Sequence, residues 1–243
     1  MSSRPWQTIA IADCSEPLQP LPPDLQRLEP HPYAALGAPY GAGESPFQLR
    51  SGVIERLLLA QASLQRLDGA LRLAIFDGWR PIAVQQFMVD TTIAEQCMRV
   101  DLDPSLPSAQ RDRIVAEVSR FWAPPSDDPA TPPPHSTGAA VDLTLTLANG
   151  DPLEMGGAID AIGAVSEPEH YAGRAAAEPG GEAALWHHRR RLLADAMAQA
   201  GFARHPNEWW HFSYGDQLWA WLQQQPCAIY GRVDGSQSSS VTC

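Results

Sequence analysis

Apolar residues recur at helical spacing in several parts of the chain. Between positions 51 and 67 they return every three or four residues, which predicts an amphipathic helix. Apolar and β-branched runs that end at turn residues predict strands. The predicted helices are 51–67, 82–96, 109–122 and 182–199, and the predicted strands are 71–76, 140–147 and 209–214. Separated helices with hairpin-linked strands indicate an α+β fold, a single domain with a small antiparallel sheet flanked by helices.

Prolines set the boundaries of this domain. Residues 16–46 contain eight of the 23 prolines, which excludes long helices there. We therefore predict that residues 1–50 form a proline-rich arm packed on the domain, with Tyr33 and Tyr40 as anchors. The domain itself covers residues 51–233. Residues 234–243 are small and polar, which predicts a disordered tail.

Composition narrows the class of protein. The 243 residues carry a net charge of -11, which argues against nucleic acid as a partner. No apolar run reaches the length of a membrane span and no signal-peptide core is visible, so we expect a cytoplasmic protein. The four cysteines are widely spaced, which fits free thiols in a reducing compartment. The sequence assigns no oligomeric state.

A histidine and an aspartate stand at the start of the strand predicted for 140–147. His135 leaves a proline-stiffened loop, Gly138 permits a tight turn, and Asp142 follows early in the strand. Imidazole nitrogen and carboxylate oxygen are good zinc ligands, and a loop-to-strand transition can aim both at one point. Taken alone, the segment is better explained as a loop histidine beside a solvent-facing carboxylate.

A second segment could complete a metal site. A catalytic zinc ion has three protein ligands, an open position and a carboxylate that accepts a proton. His211 could be the third ligand and Glu208 the base. Residues three apart point to opposite faces of a straight strand, so Glu208 would have to lie at a bend before the strand. The alternative is a core aromatic strand with an incidental exposed glutamate.

Arg80 follows the strand predicted for 71–76, after the turn signal Asp77-Gly78. An arginine there could pair with a substrate carboxylate or a developing oxyanion, or form a structural salt bridge. His31, His170 and His205 lie in loops without an acid at ligand spacing, and we do not assign them to the site.

These three segments, in this order, resemble the D-alanyl-D-alanine dipeptidase family, zinc peptidases that include the dipeptidases of vancomycin resistance. The family's marks are Asp-Gly-(aromatic)-Arg-Pro, His-x-x-Gly-x-Ala-x-Asp and Glu-Trp-Trp-His. They correspond here to residues 77–81, 135–142 and 208–211. The likeness extends over roughly residues 51–233.

The resemblance implies one zinc ion per chain and a set of residue roles. The zinc ligands are His135, Asp142 and His211, the catalytic base is Glu208, the transition state is supported by Arg80, and the substrate's amino group is recognised by Asp160 and Tyr33. The chain departs from the family's pattern at 133–134, at 157–159 and after Tyr33, where the family's Asn-Phe-Thr-Gly is missing. All three changes touch the expected substrate pocket and none touches the zinc ligands, so the metal chemistry is better determined than the substrate.

The function implied is zinc-dependent hydrolysis of D-alanyl-D-alanine, or a similar D,D-dipeptide, to free amino acids. One alternative is a cell-wall D,D- or L,D-carboxypeptidase with the same zinc site. Another is a non-catalytic binding protein stabilised by zinc. Glu208 argues against this last alternative, because a structural zinc site needs no base.

Overall fold

The computed structural model describes residues 4–234, and within them the chain forms an α+β fold, as predicted. Its helices are α1 (Pro32–Ala35), α2 (Ser51–Leu67), α3 (Ile82–Met98), α4 (Ala109–Phe121), α5 (Ala172–Ala177), α6 (Glu182–Gln199) and α7 (Gln217–Leu222). Its strands are β1 (Leu18–Pro20), β2 (Gln26–Arg27), β3 (Gln48–Arg50), β4 (Leu71–Asp77), β5 (Ala140–Leu147), β6 (Ala203–Arg204) and β7 (His211–Ser213). None of the described helices is long and apolar enough to span a membrane. The predicted tail lies outside the described residues, apart from its first residue, Asp234.

The long helices follow the apolar pattern closely. Helices α2 and α6 have the predicted boundaries, and the apolar positions of α2 are buried against α6 and the sheet. Helix α3 runs two residues further than predicted. Helix α4 ends one residue early, because Trp122 has extended backbone angles and turns its side chain into a second apolar cluster.

Five strands form the central sheet in the order β2-β4-β5-β7-β6. Neighbouring strands are antiparallel except for β2, which pairs in parallel with β4. The sheet is therefore mixed. Strand β2 was not predicted because it has only two residues and lies in the proline-rich segment. β1 and β3 form a separate two-stranded sheet.

Strand β5 is buried on both faces. Val141, Leu143 and Leu145 pack into the core formed with α2 and α6. Asp142 and Thr144 point to the opposite face, and they are only 2% and 6% exposed. The interpretation of Asp142 as a solvent-facing carboxylate is therefore wrong, because chain segments outside the sheet cover this second face.

The aromatic segment forms a shorter strand than predicted. β7 covers only His211–Ser213, and residues 208–210 form a bend before it. The bend is fixed by two backbone hydrogen bonds, from Trp209 N to Ser166 O and from Leu143 N to Trp210 O. The indole rings of Trp209 and Trp210 pack edge to face, with centroids 5.4 Å apart, and both are buried.

The N-terminal residues dock on the C-terminal part of the chain. Backbone bonds join Ala12 N to Ala228 O and Ala228 N to Ala10 O. The buried side chain of Gln217 donates from Nε2 to Ile9 O at 2.6 Å. These contacts hold the first described residue, Arg4, beside α4, where its guanidinium donates to backbone carbonyls.

Candidate metal centre

Strand pairing brings Asp142 and His211 together. They are directly opposed in the β5–β7 register, so their side chains emerge on the same face of the sheet. His135 reaches the same point from a short 3-10 turn, Pro134–Thr137, that precedes β5. Gly138 ends this turn in the left-handed region at φ +69°, where a Cβ atom would collide with Leu18.

The three side chains form a compact, buried donor set. His135 Nε2 lies 3.2 Å from His211 Nδ1 and 3.2 Å from Asp142 Oδ2, and His211 Nδ1 lies 3.0 Å from Asp142 Oδ1. Ligand atoms bound to zinc at about 2.0–2.1 Å in a tetrahedron are roughly 3.3 Å apart. The observed separations therefore match the spacing of three tetrahedral ligands.

Hydrogen bonds to the outer ring nitrogens set the direction of both histidine lone pairs. His135 Nδ1 lies 2.7 Å from Gly78 O, which can only accept, so Nδ1 carries the proton. His211 Nε2 lies 3.4 Å from Ser213 Oγ, whose own proton goes to Asp216 Oδ2 at 2.7 Å. His135 Nε2 and His211 Nδ1 thus both direct a lone pair inward.

Two facing lone pairs and a buried carboxylate need a cation between them. Asp142 Oδ1 has no hydrogen-bond partner among the described residues, although it is fully enclosed. Although burial raises the pKa of Asp142, His135 and His211 hold it below its ordinary value. This donor set, with two neutral imidazoles and one carboxylate, fits zinc.

Glu208 lies in the bend before β7, beside the metal donors. Its Oε2 is 3.6 Å from His211 Nδ1, and the residue is only 5% exposed, so the interpretation as an incidental exposed glutamate is wrong. Burial, and then the negative charges of Asp142 and Asp160, raise the pKa of Glu208 well above its ordinary value. A bound dication would oppose this rise.

Two histidines that the sequence left unassigned do have acidic partners. His205 Nδ1 lies 3.4 Å from Glu208 Oε1, and both side chains are buried. His31 Nε2 lies 3.1 Å from Asp77 Oδ1. The prediction that these two histidines lack an acidic partner was therefore wrong. The partner of His31 could not be found locally, because His31 and Asp77 are 46 positions apart and meet only in the fold. The spacing of three residues between His205 and Glu208 was a usable signal.

Arg80 forms the structural salt bridge that was the alternative explanation, and it also lines the site. Its Nη2 and Nε donate to Asp77 Oδ2 at 2.6 and 3.0 Å, and its Nη1 donates to Gln85 Oε1 at 2.8 Å. The same Nη2 is 3.6 Å from Asp142 Oδ2. A register shift in β4 pairs Asp77 with Asp142 and turns it toward the site, whereas the sequence suggested only a turn there.

Asp160 and Tyr33 meet beside these groups. Tyr33 Oη donates to Asp160 Oδ2 at 2.6 Å and lies 3.5 Å from Arg80 Nη2. Asp160 has φ +64°, a left-handed conformation that non-glycine residues adopt rarely and that Asp and Asn tolerate best. Burial, with the nearby negative charge of Asp142, raises the pKa of Asp160 to about 7.

These groups line one cavity, and the N-terminal segment contributes to it. All the residues assigned to the site except Tyr33 border the cavity, together with Gln85, His205 and Arg4. Arg4 lies far from every motif in the sequence, and no local signal identified it.

A buried His-Asp-His donor set with a carboxylate beside it is the arrangement of a hydrolytic metal centre of the metallopeptidase class. The chain belongs to the D-alanyl-D-alanine dipeptidase family, whose family model matches residues 26–230.

Individual relatives agree with this placement. The chain is 46% identical to a D-alanyl-D-alanine dipeptidase of Synechocystis sp. (strain PCC 6803), over 95% of this chain and 97% of that protein. It is 40% identical to a D-alanyl-D-alanine dipeptidase of Streptomyces coelicolor, over 34% of this chain and 37% of that protein. A solved structure of VanYB in complex with D-alanine-D-alanine is similar over 74% of this chain and 80% of that chain. At a TM-score of 0.41 and 19% identity, that similarity is too distant to bear on function.

Proposed function

We propose that this protein is a zinc-dependent dipeptidase that hydrolyses D-alanyl-D-alanine, or a closely similar D,D-dipeptide, to free amino acids. Family membership and the relative that matches nearly the whole chain support this proposal. The observation that carries it is the contact between Asp160 and Tyr33 close to the metal donors, with Asp160 itself in the wall of their cavity. An anionic group there suits a substrate whose free ammonium lies close to the scissile bond.

The proposed chemistry divides among the residues of the cavity. When bound at His135, Asp142 and His211, a zinc ion supplies Lewis acidity that polarises a peptide carbonyl and acidifies water. Glu208 accepts the proton of the attacking water and returns it to the leaving amine. Arg80 stabilises the negative charge that develops on the carbonyl oxygen. Its guanidinium is buried, and the ion pair with Asp77 keeps it charged.

Asp160 would fix the position of the substrate. Its carboxylate pairs with the free ammonium, and Tyr33 Oη orients the carboxylate by donating to Oδ2. The positive charge of the ammonium also favours the ionised form of Asp160, whose pKa burial raises to about 7. The scissile bond then lies one residue from the amino end.

The carboxypeptidase alternative needs a different cavity. Such an enzyme leaves room for a longer chain on the amino side of the scissile bond, where Asp160 and Tyr33 stand here. The alternative of a non-catalytic binding protein gives no reason to bury Glu208. Burial makes ionisation of this carboxyl group unfavourable, as its raised pKa shows.

The test compares kcat/KM for D-Ala-D-Ala and its N-acetyl derivative in the zinc-loaded protein. Acetylation removes the ammonium and leaves Asp160 without its partner, so we expect a decrease of about two to four powers of ten. Asp160→Asn should lower activity on D-Ala-D-Ala and narrow this difference. Equal cleavage of both peptides by the unmodified protein would contradict a dipeptidase and favour the carboxypeptidase.

We also propose that the protein works in the cytoplasm, in cell-wall peptide metabolism. The cysteines among the described residues are free thiols, which suits a reducing compartment. Cell fractionation with an antibody against the chain tests the location, and recovery in an extracytoplasmic fraction would contradict it.

A further inference from the structure

Arg4 lines the cavity without forming an ion pair to any described residue, although the charge of Glu208 acts on it. Arg80, the other arginine of the cavity, is held by Asp77 and Gln85. The side chain of Arg4 donates from Nη2 to Ser119 O and Trp122 O, both at 2.9 Å. Among the described residues its guanidinium forms no ion pair, so Nε and Nη1 remain available to a ligand.

The charged groups of the cavity form two sets of contacts, which we call its two ends. Asp160 lies with Tyr33 and Arg80 at one end. Arg4 lies at the other end, with Glu208 and His205: the ring of Trp6 packs edge-on against His205 with centroids 6.1 Å apart, and the Arg4 guanidinium lies 5.4 Å from the Trp6 centroid. The charge of Arg4 also opposes the increase in the pKa of Glu208 that burial causes.

A dipeptide has charges that match these two ends. With its ammonium at Asp160, the leaving amine faces Glu208, and the free carboxylate is one carbon beyond that nitrogen. Two residues span at most about 7 Å, so the carboxylate lies within about 7 Å of the ammonium. There it needs a cation, and a guanidinium can hold a carboxylate through two parallel hydrogen bonds.

We propose that Arg4 binds the free carboxylate of the substrate and determines specificity for an unblocked carboxyl end. This assignment rests on the proposed dipeptidase function. The contacts that dock the N-terminal segment, from Ile9 and Ala12 to Gln217 and Ala228, then have a role in catalysis, because they keep Arg4 at the cavity.

The experiment compares D-Ala-D-Ala with its C-terminal amide, in the full-length zinc-loaded protein and in Arg4→Met, which removes the charge and keeps the length of the side chain. Amidation should lower kcat/KM of the unaltered protein about 10- to 100-fold, the range for a charge-assisted hydrogen bond. In Arg4→Met the acid and the amide should react about equally. Arg4→Lys should retain part of the preference.

Two controls separate recognition from a structural effect. Arg120→Met removes an exposed arginine of α4 that does not line the cavity, and it should leave the preference unchanged. Calorimetry in the Glu208→Gln background measures the Kd of acid and amide without turnover and should show the same dependence on Arg4. If Arg4→Met melts early, Arg4→Gln, which keeps a donor for the two carbonyls, gives the comparison.

The outcomes distinguish the two proposals. The assignment of Arg4 would be overturned if Arg4→Met still preferred the free acid to the amide. It would also be overturned if the unaltered protein showed no such preference. In both cases the dipeptidase function would stand. Failure of the unaltered protein to hydrolyse D-Ala-D-Ala would overturn the proposed function and the role of Arg4 with it.

Discussion

His135 Nε2 and His211 Nδ1 face each other at 3.2 Å with both lone pairs directed inward. Two neutral acceptors at this distance repel one another unless a proton or a metal ion lies between them. The carbonyl of Gly78 and the hydroxyl of Ser213 occupy the opposite ring nitrogens and fix both rings in this orientation. The polypeptide thus prearranges the pair for a metal.

We therefore expect one zinc ion per chain and its loss when either imidazole is removed. His135→Ala and His211→Ala should each reduce the metal content sharply after dialysis against a weak chelator. His188→Ala, on the exposed face of α6, is the matched control and should retain zinc. Metal analysis of the purified proteins measures this, and full occupancy in both variants would refute the site.

The hydroxyl of Ser213 should tune metal affinity without being a ligand. It accepts from His211 Nε2 and donates to Asp216 Oδ2, so it links the imidazole to a buried carboxylate. Ser213→Ala should weaken zinc binding about 10-fold or more, within the range for groups that orient a ligand. Competition with a chromophoric chelator gives the affinity, and an unchanged value would show that the strand alone orients His211.

Glu208→Gln should keep zinc and lose turnover. The amide has nearly the same shape but cannot accept a proton from water, and general-base assistance is worth roughly 10²–10⁴ in rate. Metal content and kcat are measured on the same sample. Loss of zinc would make Glu208 a ligand. A normal kcat would assign the base to another residue, and the first candidate is His205, whose Nδ1 lies 3.4 Å from Glu208 Oε1.

Local patterns in the sequence identified the long helices and the main strands, and the family resemblance joined the candidate metal donors into one site. The burial of α2 follows its apolar spacing, and His135, Asp142 and His211 were found because each lies in a recognisable segment. The bend at Glu208 was required by the spacing of side chains along a strand. These features depend on residues near one another in the chain.

What the sequence missed depends on contacts between distant segments. His31 meets Asp77 across 46 positions, and the two residues of β2 join the sheet only by pairing with β4, far along the chain. The register shift that turns Asp77 toward the site has no local mark. Arg4 reaches the cavity through docking contacts with the C-terminal part of the chain, which no periodicity reveals.

The last prediction concerns the stability of the metal-free protein. The pKa of Asp160 is about 7 in the folded protein, above the ordinary value of 3.8, mainly because of burial and secondly because of Asp142. Between about pH 4 and pH 7 the folded state therefore holds a proton that the unfolded state has lost. Stability contributed by this group is complete below pH 4 and is lost as the pH rises toward 7.

Asp160→Asn removes this titration and retains a residue that tolerates φ +64°, together with an oxygen that can accept from Tyr33 Oη. Urea unfolding in the presence of a chelator, from pH 4 to pH 8, should show the variant gaining stability relative to the unaltered protein as the pH rises through this window. Asp195→Asn, at an exposed position on α6, should track the unaltered protein throughout. Parallel curves for Asp160→Asn and the unaltered protein would mean that Asp160 is ionised over the whole range, so that burial does not govern its charge.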